Sequence, residues 1–172
     1  EAIQKNGLQL KSIKGDFLLQ PAKAVAEISE VKNIDLILIC VKTWQLVEVA
    51  EKIKAILNSN TLIISLLNGA ENASILCNII DKKHVLGGLC KIISKIEDYG
   101  IINHISYEPT IVFGELDNKN SKRAIALEQL FLNAGIKTIL AEDIQKEIWT
   151  KFLFIFTISA IGALTRATLG EM

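Results

Sequence analysis

The sequence predicts an α/β fold: an open, doubly wound parallel sheet, followed by the first helix of an all-α unit. Three observations carry that reading. Two near-continuous apolar runs, "DLILICV" (35–41) and "TLIISLL" (61–67), have the composition of strands covered on both faces. Between them, "TWQLVEVAEKIKAIL" sets Leu46, Val49, Ile53 and Ile56/Leu57 on one helical face, with Glu48, Glu51, Lys52 and Lys54 largely opposite. From Ile144 onward no strand pattern returns. A strand, a crossing helix and a second strand make a right-handed βαβ unit, the building block of a parallel sheet.

The elements follow in order. Residues 1–5 read as the end of a helix, with Gly7 available to close it. "LQLKSI" and "DFLLQ" flank the Lys14-Gly15 turn as a hairpin. "AKAVAEISEV" is a mixed connector. The 35–41 run stops at Lys42, and a helix opens beside it. The 61–67 run closes at Asn68-Gly69, "ENASILCNII" is a second helix, and "HVLGGLCKII" is a third strand. After Gly100, "GIINHISY" and "TIVFGEL" alternate as short segments of an antiparallel edge. "SKRAIALEQLFLNAG" is a helix closed by Gly135, and "KTILAED" is a last strand. The domain boundary therefore falls at residues 1–143 for the sheet and 144–172 for the start of a helical unit.

Nineteen basic and nineteen acidic residues balance to a formal charge of zero, and half of the 172 residues are apolar. That charge balance argues against a nucleic-acid surface. Cys40, Cys77 and Cys90 form no CxxC pair, and two histidines are too few for a zinc set. Each thiol reads as a small buried hydrophobe in a reduced, cytoplasmic chain. The opening "EAIQKNGLQL" has neither a basic nor an apolar leader segment. The apolar stretch "FLFIFTISAIGAL" (152–164) has 13 residues, short of the roughly 20 that cross a bilayer, so a core helix and no membrane partner are expected.

Ligands of open α/β sheets bind beyond the carboxyl ends of the parallel strands. Lys42 and Asn68 stand at two such ends and would face one crevice. The plain structural alternative makes Lys42 a strand terminus and Asn68-Gly69 a turn. The phosphate-cradling pattern G-x-G-x-x-G occurs nowhere in the 172 residues, and Gly87-Gly88 is only a pair.

In order and spacing, "ILICVKTWQ", "SLLNGAEN", "VLGGLCKI…GIINH", "FGELD", "NAGIKTILAEDIQKEIWTKFLF" and "GALTRATLGE" resemble successive blocks of the ketopantoate reductase (2-dehydropantoate 2-reductase) family. The resemblance runs from about residue 1 to residue 172. It implies a Rossmann-like dinucleotide-binding domain over 1–143, with its glycine-rich unit upstream of Glu1. It also implies a substrate and dimerisation domain that begins at 144 and continues past Met172, so the chain reads as an internal piece, inactive alone. The implied reaction is hydride transfer from NADPH to a 2-oxo acid, in pantothenate biosynthesis if that acid is 2-dehydropantoate. A homo-oligomer is the implied assembly.

By the same resemblance, Lys42 and Asn68 contact the cofactor NADP(H), and Lys151, in "IWTKF", is the proton donor and touches substrate. The family's substrate-facing asparagines, four and eight positions later, correspond here to Ile155 and Ser159. An i, i+4, i+8 row shares one helical face, so Lys151, Ile155 and Ser159 fall on one site, with Ser159 the remaining polar contact. Read without the resemblance, Lys151 snorkels from an apolar helix. His84 is expected to be exposed, Glu115 structural, and Trp44 and Trp149 core anchors. Two other readings stay open: a non-catalytic remnant that only folds or oligomerises, and a related reductase for another 2-oxo acid.

Overall fold

Runs of Leu, Ile and Val without charge become the central strands, and in the computed structural model, which describes residues 1–172, they do so in the expected order. A single turn, α1 (Ala2–Asn6), ends at Gly7, whose φ of 81° suits glycine. The hairpin β1 (Leu8–Ser12) and β2 (Phe17–Leu19) follows. Next come β3 (Leu36–Ile39), α2 (Leu46–Lys54), β4 (Leu62–Ser65), α3 (Asn72–Cys77) and β5 (Val85–Asp98). The chain continues through β6 (Ile101–Gly114), α4 (Lys122–Asn133), β7 (Lys137–Leu140) and α5 (Ile144–Thr165).

β3 and β4 pair in parallel from Leu36↔Leu62 to Ile39↔Ser65, and β4 pairs in parallel with β5. Ile63 and Ile64 are neighbours in β4, so their side chains leave opposite faces. Ile63 packs with Leu46, Ile53 and Leu76 of α2 and α3. Ile64 packs with Phe113 and with Leu127 and Phe131 of α4. Helices thus cover both faces, as the uninterrupted apolar runs require.

Residues 101–114 differ from expectation. They form one 14-residue strand rather than two short edge segments. β5 and β6 make a hairpin through Tyr99-Gly100, with Gly100 at φ 80°. This antiparallel pair lies inside the sheet, because the other edge of β6 carries two strands in series. β1 pairs in parallel with Ile101–His104, and β7 in parallel with Thr110–Phe113. Between those segments Tyr107 takes φ 65°. The buried His104 braces the bend, with Nε2 2.7 Å from the Tyr107 carbonyl and Nδ1 2.8 Å from Ser12 Oγ.

The sheet has a dry half and a wet half. Val85–Leu89 are buried or nearly so, whereas Lys91–Asp98 and the whole of β2 are exposed.

The first turns of α5 lie tight on the sheet. Ile144 and Ile148 are buried with Leu89, Val112 and Ala141. The approach depends on Gly87 and Gly114, cross-strand partners under Ile144. A Cβ on Gly87 would come within 2.7 Å of Ile144 Cγ1. The rest of α5 is not the buried helix its composition predicts: Leu153, Phe154, Phe156 and Leu164 are exposed. At 22 residues, α5 is by length and composition long and apolar enough to cross a membrane.

Three smaller expectations also change. His84 is buried, because its Nδ1 lies 2.8 Å from the Thr61 carbonyl and gives the ring a polar partner. Trp44 is 80% exposed and Trp149 is 49% exposed, so neither is a core anchor. Cys40 is exposed, and Cys77 and Cys90 are only half-buried.

Candidate functional site

Because β3 and β4 are parallel, their carboxyl ends open on one side of the sheet. Lys42 lies three residues past the β3 end at Ile39, and its side chain is exposed. Its backbone N–H donates to Gln45 Oε1 at 3.0 Å, which orders the turn into α2. Asn68 follows β4. Thr43 Oγ1 donates to the Asn68 carbonyl at 3.1 Å and ties the two strand ends together.

The Asn68 turn is held from below by Asn72. This buried amide donates through Nδ2 toward the carbonyls of Leu67, Asn68 and Gly69, at 3.4, 3.3 and 3.2 Å. Gly69 takes φ 124°, a conformation that L side chains rarely adopt. Beside the turn, Ser65 Oγ is buried without a partner, in a small void shared with Asn72, Gly88 and Ile148.

Lys151 reaches the same side from α5. Its Nζ donates to the Cys90 carbonyl at 2.6 Å, on the stretch of β5 that continues beyond the end of β4. Burial pulls the Lys151 ammonium below the ordinary lysine range; the Cys90 thiol opposes the shift and the Lys91 charge adds to it. An amine held this way gives up its proton more readily than a surface lysine.

Asn68 and Lys151 line one small open cleft, with Leu67, Leu89, Phe152 and Ile155 among its walls. The structure therefore brings together Asn68, Lys151 and Ile155. Lys42 is not among the residues lining this cleft; its neighbour Thr43 bonds the Asn68 turn. Ser159 sits two turns beyond Lys151, exposed and outside the residues lining this cleft. Glu115 lies away from the cleft, where Arg123 Nε and Nη2 each donate to its carboxylate at 2.6 Å and Ser121 Oγ donates at 2.5 Å.

Two positioning features escape a reading by periodicity. One is Asn72, whose only signal is a short polar residue opening a helix just after the turn. The other is the Gly87/Gly114 platform, signalled by glycines inside apolar strand patterns, which mark close approach of another backbone or element. No group of three His, Cys, Asp or Glu side chains is arranged to hold a metal ion.

The family model described as ketopantoate reductase PanE/ApbA matches residues 1–118. An uncharacterised oxidoreductase of Bacillus subtilis, YkpB, is 35% identical over 172 residues, covering all of this chain and 56% of the relative. A 2-dehydropantoate 2-reductase of Nostoc sp. is 25% identical over 177 residues, covering all of this chain and 55% of the relative. Among solved structures, 2-dehydropantoate 2-reductase from Geobacter metallireducens superposes with a TM-score of 0.89 at 28% identity, over 96% of this chain and 55% of that one. The chain spans just over half the length of the curated relatives it matches.

Proposed function

The chain belongs to the ketopantoate reductase PanE/ApbA family, and from that premise we propose that its cleft serves the reduction of a 2-oxo acid to the 2-hydroxy acid by NADPH. The observation that supports this best is the meeting of Asn68, from the end of a parallel strand, and Lys151, from α5, in one cleft. Lys42 and Asn68 are the cofactor-side residues in this reading. Lys42 offers an exposed cation for a phosphate group, and Asn68 presents a turn fixed by Asn72 and Thr43. Both fit the wall of a nicotinamide nucleotide site, since they sit where a doubly wound sheet takes its ligands.

A bound reduced nicotinamide supplies the hydride for the keto carbon. The residues of this chain supply the rest. One N–H of the Lys151 ammonium is engaged by the Cys90 carbonyl, which orients the group and leaves two N–H donors. In this reading one of them meets the keto oxygen, stabilises the charge developing there and transfers its proton, leaving a neutral amine and the 2-hydroxy acid. The lowered proton affinity of Lys151 favours that transfer. Ser159, further along the same helix, is assigned to the outer end of the substrate. Residues 1–143 then act as the nucleotide unit and 144–172 as the start of the substrate and dimerisation unit.

The test uses the full-length gene product, following loss of reduced nicotinamide with a panel of 2-oxo acids, with NADPH and NADH compared. Lys151→Ala should lower kcat by about 100- to 10,000-fold while NADPH still binds. Undiminished turnover by that variant would overturn the assignment.

A further inference from the structure

We propose that Lys91 and Glu147 are positioning residues for proton transfer, a charge pair that acts on Lys151 from outside the cleft and in opposite directions. The inference rests on the reading of Lys151 as the proton donor. It adds the groups that set how that donor behaves.

The geometry is a grip of β5 on one stretch of α5. Leu89 is buried under the helix, and Lys91, two residues on, leaves the same face of the strand. Between them the Cys90 carbonyl accepts from Lys151 Nζ at 2.6 Å. Lys91 Nζ then lies 3.6 Å from Glu147 Oε2. Glu147 and Lys151 are four residues apart on α5 and share one side of the helix. Consecutive residues of β5 therefore engage an i, i+4 pair of α5, and the charges of Lys91, Glu147 and Lys151 meet where helix and strand cross.

The signs decide what this cluster does. Lys91 faces the Lys151 ammonium with a like charge and favours its neutral form, adding to the larger effect of burial. The Cys90 thiol faces the same ammonium and opposes the shift. Burial pushes that thiol up, so it stays neutral to higher pH than an ordinary cysteine. The turn opposite presents Asn68 and Gly69, which do not titrate. Glu147 carries the compensating charge: paired with Lys91, it damps the field that Lys91 sets up at Lys151. Removing Lys91 should hold the proton on Lys151 to higher pH, and removing Glu147 should release it at lower pH. Both members of the pair are about half exposed, so screening by water keeps each effect to roughly 2- to 5-fold.

The experiment follows kcat/KM against pH in the full-length gene product with NADPH and the 2-oxo acid of the panel that it turns over fastest. A donor lysine must be protonated, so activity falls on the alkaline side as Lys151 loses its proton. With Lys91→Met that fall should move to higher pH, and with Glu147→Gln to lower pH, each changing activity on the falling limb by the amount given above. Lys91→Arg, which keeps the charge, should leave the limb in place. Both displacements should shrink in about 1 M salt. A loss of packing alone would lower the whole profile without moving its limb in opposite directions. A limb that stays in place in either charge-removing variant, or moves the same way in both, would overturn the inference and leave the reductase reading standing. Reduction of no 2-oxo acid, or undiminished turnover by Lys151→Ala, would remove that reading and the inference with it. Lys91→Gln gives the same comparison should Lys91→Met not fold.

Discussion

Replacing Gly87 by alanine should separate the placement of Lys151 from everything else the sheet does. The added Cβ would sit 2.7 Å from Ile144 Cγ1, 3.1 Å from Ile144 Cγ2 and 3.3 Å from Leu116 Cδ2. The closest of these is about 0.7 Å inside the 3.4 Å at which ordinary contact begins. Ile144 is fully buried at the root of α5, and Gly114 on the next strand leaves it no spare room. The helix must therefore lift. Overpacking of this kind costs about 1–3 kcal/mol. Lys151 lies seven residues along the same helix, roughly 10 Å at 1.5 Å per residue, so a lift of its root carries directly to Nζ. The 2.6 Å bond to the Cys90 carbonyl lengthens, and a misplacement approaching 1 Å lowers the chemical step by up to about 100-fold. β3 and β4 do not move, so the cofactor side at Lys42 and Asn68 is spared. Urea unfolding and steady-state kinetics on the full-length protein measure both halves. The expected pattern is lower stability and lower kcat with an unchanged KM for NADPH. An alanine variant with natural stability and kcat would refute the glycine platform, and a raised KM for NADPH would show that the disturbance is not confined to α5.

Glu115→Gln should cost about 1.5–3 kcal/mol, the scale of a hydrogen bond to a charged group. The Arg123 guanidinium, and after it the Ser121 hydroxyl, hold the Glu115 carboxyl below the ordinary glutamate range against the opposing effect of burial. A carboxyl depressed in the folded state stabilises above its unfolded value of about 4.3 and loses that contribution as pH falls through the folded value. Urea melts across that acid window should therefore slope more steeply for the natural protein than for the variant; parallel curves would count against the ion pair. The exposed face of α5 gives a further expectation. Leaving Leu153, Phe154 and Phe156 wet forgoes about 1.5–3 kcal/mol for each side chain that burial would gain, so the 172-residue chain should self-associate at micromolar concentration and Phe154→Glu should weaken the association. Sedimentation showing a monomeric natural chain would sink that expectation.

The parts of this fold that sequence foretells are those whose cause is local. The β4 run is apolar because both faces are covered, and that covering leaves its mark residue by residue, whereas β3 at the sheet edge leaves Leu38 exposed. The strand at 101–114 was harder to read, since Glu108-Pro109 interrupts its pattern and the long partner β5 that keeps it continuous lies across the hairpin. His84 misled for the same reason: the carbonyl that makes its burial tolerable belongs to Thr61, 23 residues away. Lys42, Asn68 and Lys151 were legible as positions at strand ends and in a motif. That Asn68 and Lys151 share a cleft was not, because their meeting is set by glycines under α5 that bear no functional groups. Ser159 shows the converse, a residue on the right helical row that stands outside the cleft.

The division of β5 and β6 into a dry and a wet segment has a consequence for how this protein can come apart. Cooperative units follow buried apolar contact, and the two segments differ in it so sharply that they need not open together. The distal hairpin, with β1 and β2 along its side, can detach from water-free packing no deeper than its own His104 brace, while β3, β4 and the 110–113 segment stay locked between helices. Every residue assigned to the cleft belongs to the locked portion or to the helix resting on it. Length changes, nicks or fraying in the outer ribbon are thereby insulated from the chemistry, and that ribbon is where the chain has latitude to vary.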